Sequence, residues 1–174
     1  YIMVLIDLMS SFLLAVPMAK KSTEACVKAL EAVIAGSSVP LVEIQFDGEH
    51  GIRSRAVEAL LKRNRIALAA PRACQKAERT LRTLRRMLVR HMSETGSRRY
   101  LDFLATAVAT WNKEYRVPDT DGLTPERIAS KPWLLASSGK HECRHHDPLK
   151  VLPNPELRVL CRVRLWLKAL AKPG

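Results

Sequence analysis

The chain has 174 residues, 47% of them hydrophobic, with 29 Lys and Arg against 17 Asp and Glu, a formal net charge of +12 and a pI near 10.0. That is one ordinary domain with room for a real core and an appended segment, and the apolar fraction excludes a wholly disordered basic tail. So large a positive excess points to an anionic partner, nucleic acid or an acidic membrane surface, because its field attracts polyanions and resists self-association.

In chain order, residues 1 to 16 hold two short apolar runs around an Asp-Leu-Met-Ser-Ser break, the pattern of a β-hairpin with largely buried strands. Ser22 is a good N-cap, and Ala25, Cys26, Ala29, Leu30, Val33 and Ile34 recur at helical spacing until Gly36. Pro40 introduces LVEIQF, whose alternation predicts a strand ending at Asp47-Gly48. A second helix is expected from Ser54, with Val57, Leu60 and Leu61 on one face, and IALAA before Pro71 is a candidate strand. The longest helical pattern runs from Cys74 to Met92 and stops at Thr95-Gly96-Ser97. Residues 98 to 114 predict another helix through Tyr100, Phe103, Leu104, Ala107, Val108 and Trp111. Prolines and glycines then punctuate a loop-rich stretch in which only TPERIAS is briefly helical. The closing RVLCRVRLWL alternates as a strand does, with a short basic helix as its rival. This order of elements is α/β, a helix layer against a small sheet.

Cys26, Cys74, Cys143 and Cys161 form no CxxC pair, which favours a reducing compartment, so a nuclear or cytoplasmic location and not secretion is expected. The apolar start is broken by Asp7, Ser10, Ser11 and Pro17. It is too short to cross a bilayer and lacks the basic leader of a signal peptide, so no membrane partner is expected. The chain opens on Tyr1, which suggests that it enters a domain partway through.

Two segments are candidates for chemistry. In Gln45-Phe46-Asp47-Gly48-Glu49-His50 an acidic residue ends a buried strand, where it either projects a carboxylate from the sheet or serves an Asp-Gly turn. From Arg72 to Arg99 nine basic residues stand against two acidic ones, a net +7. Arg79, Arg82, Arg86 and Arg90 recur at three to four positions, one cationic stripe opposite the leucines and suited to a phosphate backbone, unless it is only a solvated face. Glu78 sits at the start of that stripe, as a site carboxylate or as a partner of the helix dipole.

These residues carry a resemblance. YIMVLIDLMSSF followed by AVPMAKKS is similar to the second and third strands of the retroviral and retrotransposon integrase core, a ribonuclease H-like family. Asp47-Gly48-Glu49-His50 resembles its D-x-G-x-EF element, Ala77-Glu78-Arg79-Thr80-Leu81-Arg82-Thr83-Leu84 its V-ER-x-x-RTLK, and Trp111-Asn112 through Thr124-Pro125-Glu126 its YN…TP-x-E. The match is collinear over residues 1 to about 130, and Leu157 to Gly174 faintly resembles the start of the small basic β-barrel that follows such cores.

The resemblance implies a ribonuclease H-like mixed sheet flanked by helices. It also implies DNA integration by three carboxylates holding two Mg²⁺ or Mn²⁺ ions. Carried across, Asp47 and Glu78 are catalytic and metal-binding, and Lys76, Arg79, Arg82 and Arg86 contact DNA. The family's first catalytic Asp lies on a strand before the one with which this chain opens, so the fold is expected to lack its first strand and to be catalytically impaired. Asp7 matches an acidic hairpin position and not the metal ligand. Only 30 residues separate Asp47 from Glu78, fewer than the family usually has.

The resulting division is an incomplete core over residues 1–130 and a loop-rich basic extension over 131–174. His141, Cys143, His145 and His146 read as a polar linker and not a zinc site, and Trp133 and Trp166 as packing aromatics more than base-stacking ones. Expected partners are DNA and further copies of the chain. A noncatalytic nucleic-acid-binding module and a domesticated retroelement remnant remain as alternative functions.

Overall fold

The computed structural model describes residues 1–37, 41–46, 54–69, 75–118 and 120–131, and the backbone of 162–168. Five strands and five helices follow in the order β1 (Ile2–Asp7), β2 (Leu13–Pro17), α1 (Thr23–Gly36), β3 (Glu43–Phe46), α2 (Arg55–Arg63), β4 (Ala67–Ala69), α3 (Gln75–Thr95), α4 (Leu101–Glu114), α5 (Pro125–Ser130) and β5 (Arg162–Lys168). The fold is mixed α/β, a sheet flanked by helices.

The helices start where the sequence supplies an N-cap. The Ser22 and Ser54 hydroxyls accept from the amides of Ala25 and Val57, each at 3.3 Å, and Thr124 caps α5 with Pro125 in its first turn. α3 runs to Thr95, three residues past the expected Met92, and ends where Gly96 takes a φ of +65°, a left-handed stop that glycine adopts without steric cost. α4 begins at Leu101 and not at residue 98.

β1 is buried at five successive positions because both of its faces are covered. Met3 and Leu5 join Leu30, Val33, Ile44, Phe46, Leu60 and Leu61 in a core under α1 and α2. Ile2 and Val4 join Leu13, Leu84, Leu88, Leu104, Ala107 and Trp111 under α3 and α4.

The sheet order is β2-β1-β5-β3-β4. The sheet was expected to lack a strand, but its middle position is filled by β5, from the end of the chain. β5 runs antiparallel to β1, with Leu5 opposite Leu165 and Met3 opposite Leu167, and parallel to β3, with Ile44 opposite Val163. The physical reason is that β1 and β3 each present a row of amides and carbonyls to the gap, and a strand between them satisfies both rows. Of the two readings open for the closing segment, it is the strand that forms.

Candidate nucleic-acid interface

α3 lies across β1 and β5. It buries Ala77, Thr80, Leu84 and Leu88 at three- and four-residue spacing, which turns Arg79, Arg82, Arg86 and Arg90 to the opposite side. Arg79, Arg82, Arg85 and Arg86 are exposed, and none makes an ion pair among the described residues. Other arginines do find carboxylates. Arg90 meets Glu94 at 2.7 Å, Arg99 meets Asp102 at 3.2 Å, and Arg63 meets Glu31 at 3.3 Å. The Glu94 hydrogen bond and charge hold the Arg90 guanidinium above its usual range, so the stripe's last member is already engaged. Like charges at i,i+3 and i,i+4 cost roughly 0.2–0.5 kcal/mol per pair, so α3 carries an unfavourable row in which Glu94 engages Arg90, while Arg79, Arg82, Arg85 and Arg86 have no ion-pair partner among the described residues. An extended anion would relieve it. Arg85, one turn after Arg82, belongs to this row and was not among the expected contacts; its i,i+3 spacing from Arg82 was the available signal.

Lys76 is directed elsewhere. Its ammonium donates to the Leu8 carbonyl at the β1–β2 turn and so ties the start of α3 to the hairpin. A phosphate on Lys76 would have to share that ammonium.

Glu78 is half-buried in the first turn of α3, on the flank it shares with Arg82 and Arg85. Asp47 follows the last residue of β3 and lies outside the described residues, as do His141, Cys143, His145, His146 and Trp133. Among the described residues no group of three or more His, Cys, Asp or Glu could hold a metal ion. Glu78 is the only one of the two expected ligands whose position is described, and one carboxylate does not make a divalent-cation site.

Asp7 has its own role. Its carboxylate accepts from the Met9 amide at 3.2 Å, the Ser10 amide at 3.0 Å and the Ser10 hydroxyl, closing the hairpin turn. The next residue but three, Ser11, takes a φ of 62°, and its hydroxyl is buried with no partner among the described residues. The Trp111-Asn112 pair holds this turn from α4. Trp111 Nε1 donates to the Ser11 carbonyl at 3.0 Å, while Asn112 accepts the Leu13 N–H at 2.8 Å and donates to the Leu13 carbonyl at 2.9 Å. Asn112 therefore does for the outer edge of β2 what another strand would do.

No protein-family model matches the chain, and no curated protein does. Solved structures do match in fold. A chain of the simian T-cell lymphotropic virus intasome in complex with PP2A regulatory subunit B56 gamma superposes with a TM-score of 0.67 at 17% identity, over 88% of this chain and 51% of that one. This chain thus spans about half the length of that first relative. The catalytic core domain of BIV integrase gives 0.64 at 17% identity, over 78% and 89% of the two chains. The HTLV-2 integrase catalytic core domain in complex with magnesium, in its trimeric form, gives 0.61 at 17% identity, over 71% and 80%. The fold is similar to that of retroviral integrase catalytic cores. No helix among the described residues is long and apolar enough to cross a membrane.

Proposed function

We propose that this chain is the nucleic-acid-binding part of an integrase-like core, from a retroelement or related transposon, whose intact form joins DNA strands by two-metal chemistry. The observation that carries the reading is the row of exposed Arg79, Arg82 and Arg86 on α3, without ion-pair partners among the described residues and starting one residue after Glu78. Those guanidiniums bind the phosphate backbone and hold it across the N-terminal half of the helix, with Arg85 beside them and Lys76 fixing the helix to the hairpin. Asp47 and Glu78 would hold Mg²⁺ or Mn²⁺, which when bound supplies an activated water or 3′-hydroxyl and a stabilised leaving oxygen. Two carboxylates fall short of the three such chemistry uses, and the RVRLWLK of β5 adds none. We therefore assign DNA binding to residues 1–174 and strand transfer to a form that supplies a third carboxylate. Residues 1–130 are the core, and 131–174 a basic extension that lends it β5. Assembly into homo-oligomers is part of the proposal, because the HTLV-2 core was solved in dimeric and trimeric forms.

Fluorescence anisotropy on a labelled duplex across a salt series tests this. Arg79→Ala, Arg82→Ala and Arg86→Ala together should weaken binding at least about tenfold and lower the slope of log K against log salt by about 0.9 per lost phosphate contact. An unchanged affinity and slope would remove α3 from the interface. With donor DNA and Mg²⁺ no joining is expected; robust joining lost in Asp47→Asn but kept in Asp7→Asn would make the chain an active enzyme. A noncatalytic module, favoured by the carboxylate-free central strand, predicts binding that ignores Mg²⁺ and survives Asp47→Asn.

A further inference from the structure

On the premise that α3 binds DNA, we propose that the duplex does not end on that helix but continues past its C-terminal end onto a second cationic surface, built by Lys20, Lys21, Arg98 and Arg99 at one end of the sheet.

α3 has a direction relative to the sheet. Ala77, in its first turn, packs with Ile6 and Leu8, whereas Leu84 and Leu88 pack with Ile2 and Val4. The helix therefore runs from the β1–β2 turn toward the end of the sheet at which Ile2 faces Pro17. Two connections cross that end: residues 18–22 lead from β2 to α1, and residues 96–100 lead from α3 to α4. Tyr1 joins them. Its carbonyl accepts from the Met18 amide at 2.8 Å, its nitrogen donates to the Met18 carbonyl at 2.9 Å, and the same nitrogen lies 3.5 Å from the Tyr100 hydroxyl.

The two connections carry Lys20, Lys21, Arg98 and Arg99, all exposed, and no Asp or Glu. The carboxylates that flank them in sequence are engaged. Asp102 meets Arg99 at 3.2 Å, and the Glu24 carboxyl is held by its own backbone amide and the Ser22 hydroxyl. Lys20 and Arg98 make no ion pair among the described residues. Folding thus brings together like charges from segments nearly 80 positions apart, and an extended anion offsets their repulsion.

Arg90 bridges the two surfaces, between Arg86 and Arg98. Its pair with Glu94 is open to solvent, with side chains 81% and 58% exposed, and such pairs are weak enough for a phosphate to displace the carboxylate. The 21 residues of α3 span about 30 Å, the length of about nine base pairs at about 3.4 Å each. A duplex that lies along α3 and also reaches Lys20 and Arg98 is longer than that. Lysines and arginines on exposed connections meet the phosphate backbone and not base edges, so the added contacts lengthen the footprint without adding sequence preference.

The test reads dissociation constants by fluorescence anisotropy on the full chain, across a salt series, with labelled duplexes of about 8 and about 16 base pairs, roughly 27 and 54 Å long. Lys20→Ala with Arg98→Ala should weaken binding to the longer duplex at least about threefold. It should also lower the salt slope by up to about 1.8, two contacts at about 0.9 each, and change affinity for the shorter duplex less than about twofold. Glu94→Gln frees Arg90 and should tighten the longer duplex about two- to threefold. An unchanged affinity and slope in the double variant would overturn the continuation, as would no gain in Glu94→Gln. Equal losses on both duplexes would make the two surfaces separate sites and overturn the continuous path. Should the double variant melt earlier than the parent chain, Glu94→Gln decides alone. Arg79→Ala, Arg82→Ala and Arg86→Ala together keep this outcome apart from the premise: if they weaken both duplexes while the double variant weakens neither, only the continuation falls, and if they too weaken neither, DNA binding by α3 falls with it.

Discussion

Asn112 shows how much of this fold hangs on single polar side chains. Its amide meets both backbone groups of Leu13, buried on each side, so Asn112→Ala removes two hydrogen bonds and leaves an N–H and a carbonyl in the core unsatisfied. A loss of about 2–4 kcal/mol is expected from the two bonds and the stranded groups, read as a lower urea midpoint at constant m-value. Glu24 supplies a second test. Its carboxyl is held below the ordinary value of 4.5 by its own backbone amide and by the Ser22 hydroxyl. A carboxyl depressed in the folded state stabilises the fold above its unfolded pKa, and that contribution fades as the pH falls through the folded value. Ser22→Ala should raise the Glu24 titration midpoint toward 4.5 in a carbon-detected NMR titration and shrink its share of the acid-side loss; an unmoved midpoint would contradict the capping geometry.

Among the elements, α3 separates binding from folding along its two faces. Leu84→Ala or Leu88→Ala on the buried face should each cost about 2–5 kcal/mol, because a fully buried leucine leaves a cavity. Arg82→Ala, in contrast, should leave thermal stability unchanged or slightly raised, since it relieves like-charge neighbours at Arg79 and Arg86, while DNA affinity falls. Melting curves and anisotropy on the same variants check the opposition. The two faces of α3 were legible in the sequence because a 3.6-residue period is a local signal. So was the interior place of β1, from an unbroken IMVLI run. What was not legible is tertiary. The alternation of RVRLWLK marks a strand but not its neighbours, which lie roughly 120–160 residues away, and pairing over such distances leaves no local trace. The resemblance implies a DNA contact at Lys76, and the hydrogen bond of its ammonium to a carbonyl 68 positions earlier is a tertiary pairing that no local pattern marks. Of the expected pair Asp47 and Glu78, only Glu78 can be placed, at the head of the arginine row.

For the molecule as a whole, the +12 charge opposes compaction as much as it attracts anions. Raising NaCl from about 0.1 M to about 1 M shortens the Debye length from about 10 Å to about 3 Å and should lift the melting temperature by a few degrees. Heparin at low salt should lift it further, because a polyanion that binds only the folded arginine row adds linkage stabilisation; calorimetry in both series would expose a protein whose stability ignores its charge. The order in which the sheet is made has a consequence for synthesis. Its middle strand is translated roughly 120 residues after β3, a delay of about 6–24 s at ribosomal speeds of about 5–20 residues per second. During that interval the nascent chain carries the outer pairs of its sheet without the strand that joins them, so yield in the cell depends on elongation rate and on whatever chaperone shields those edges until β5 is made.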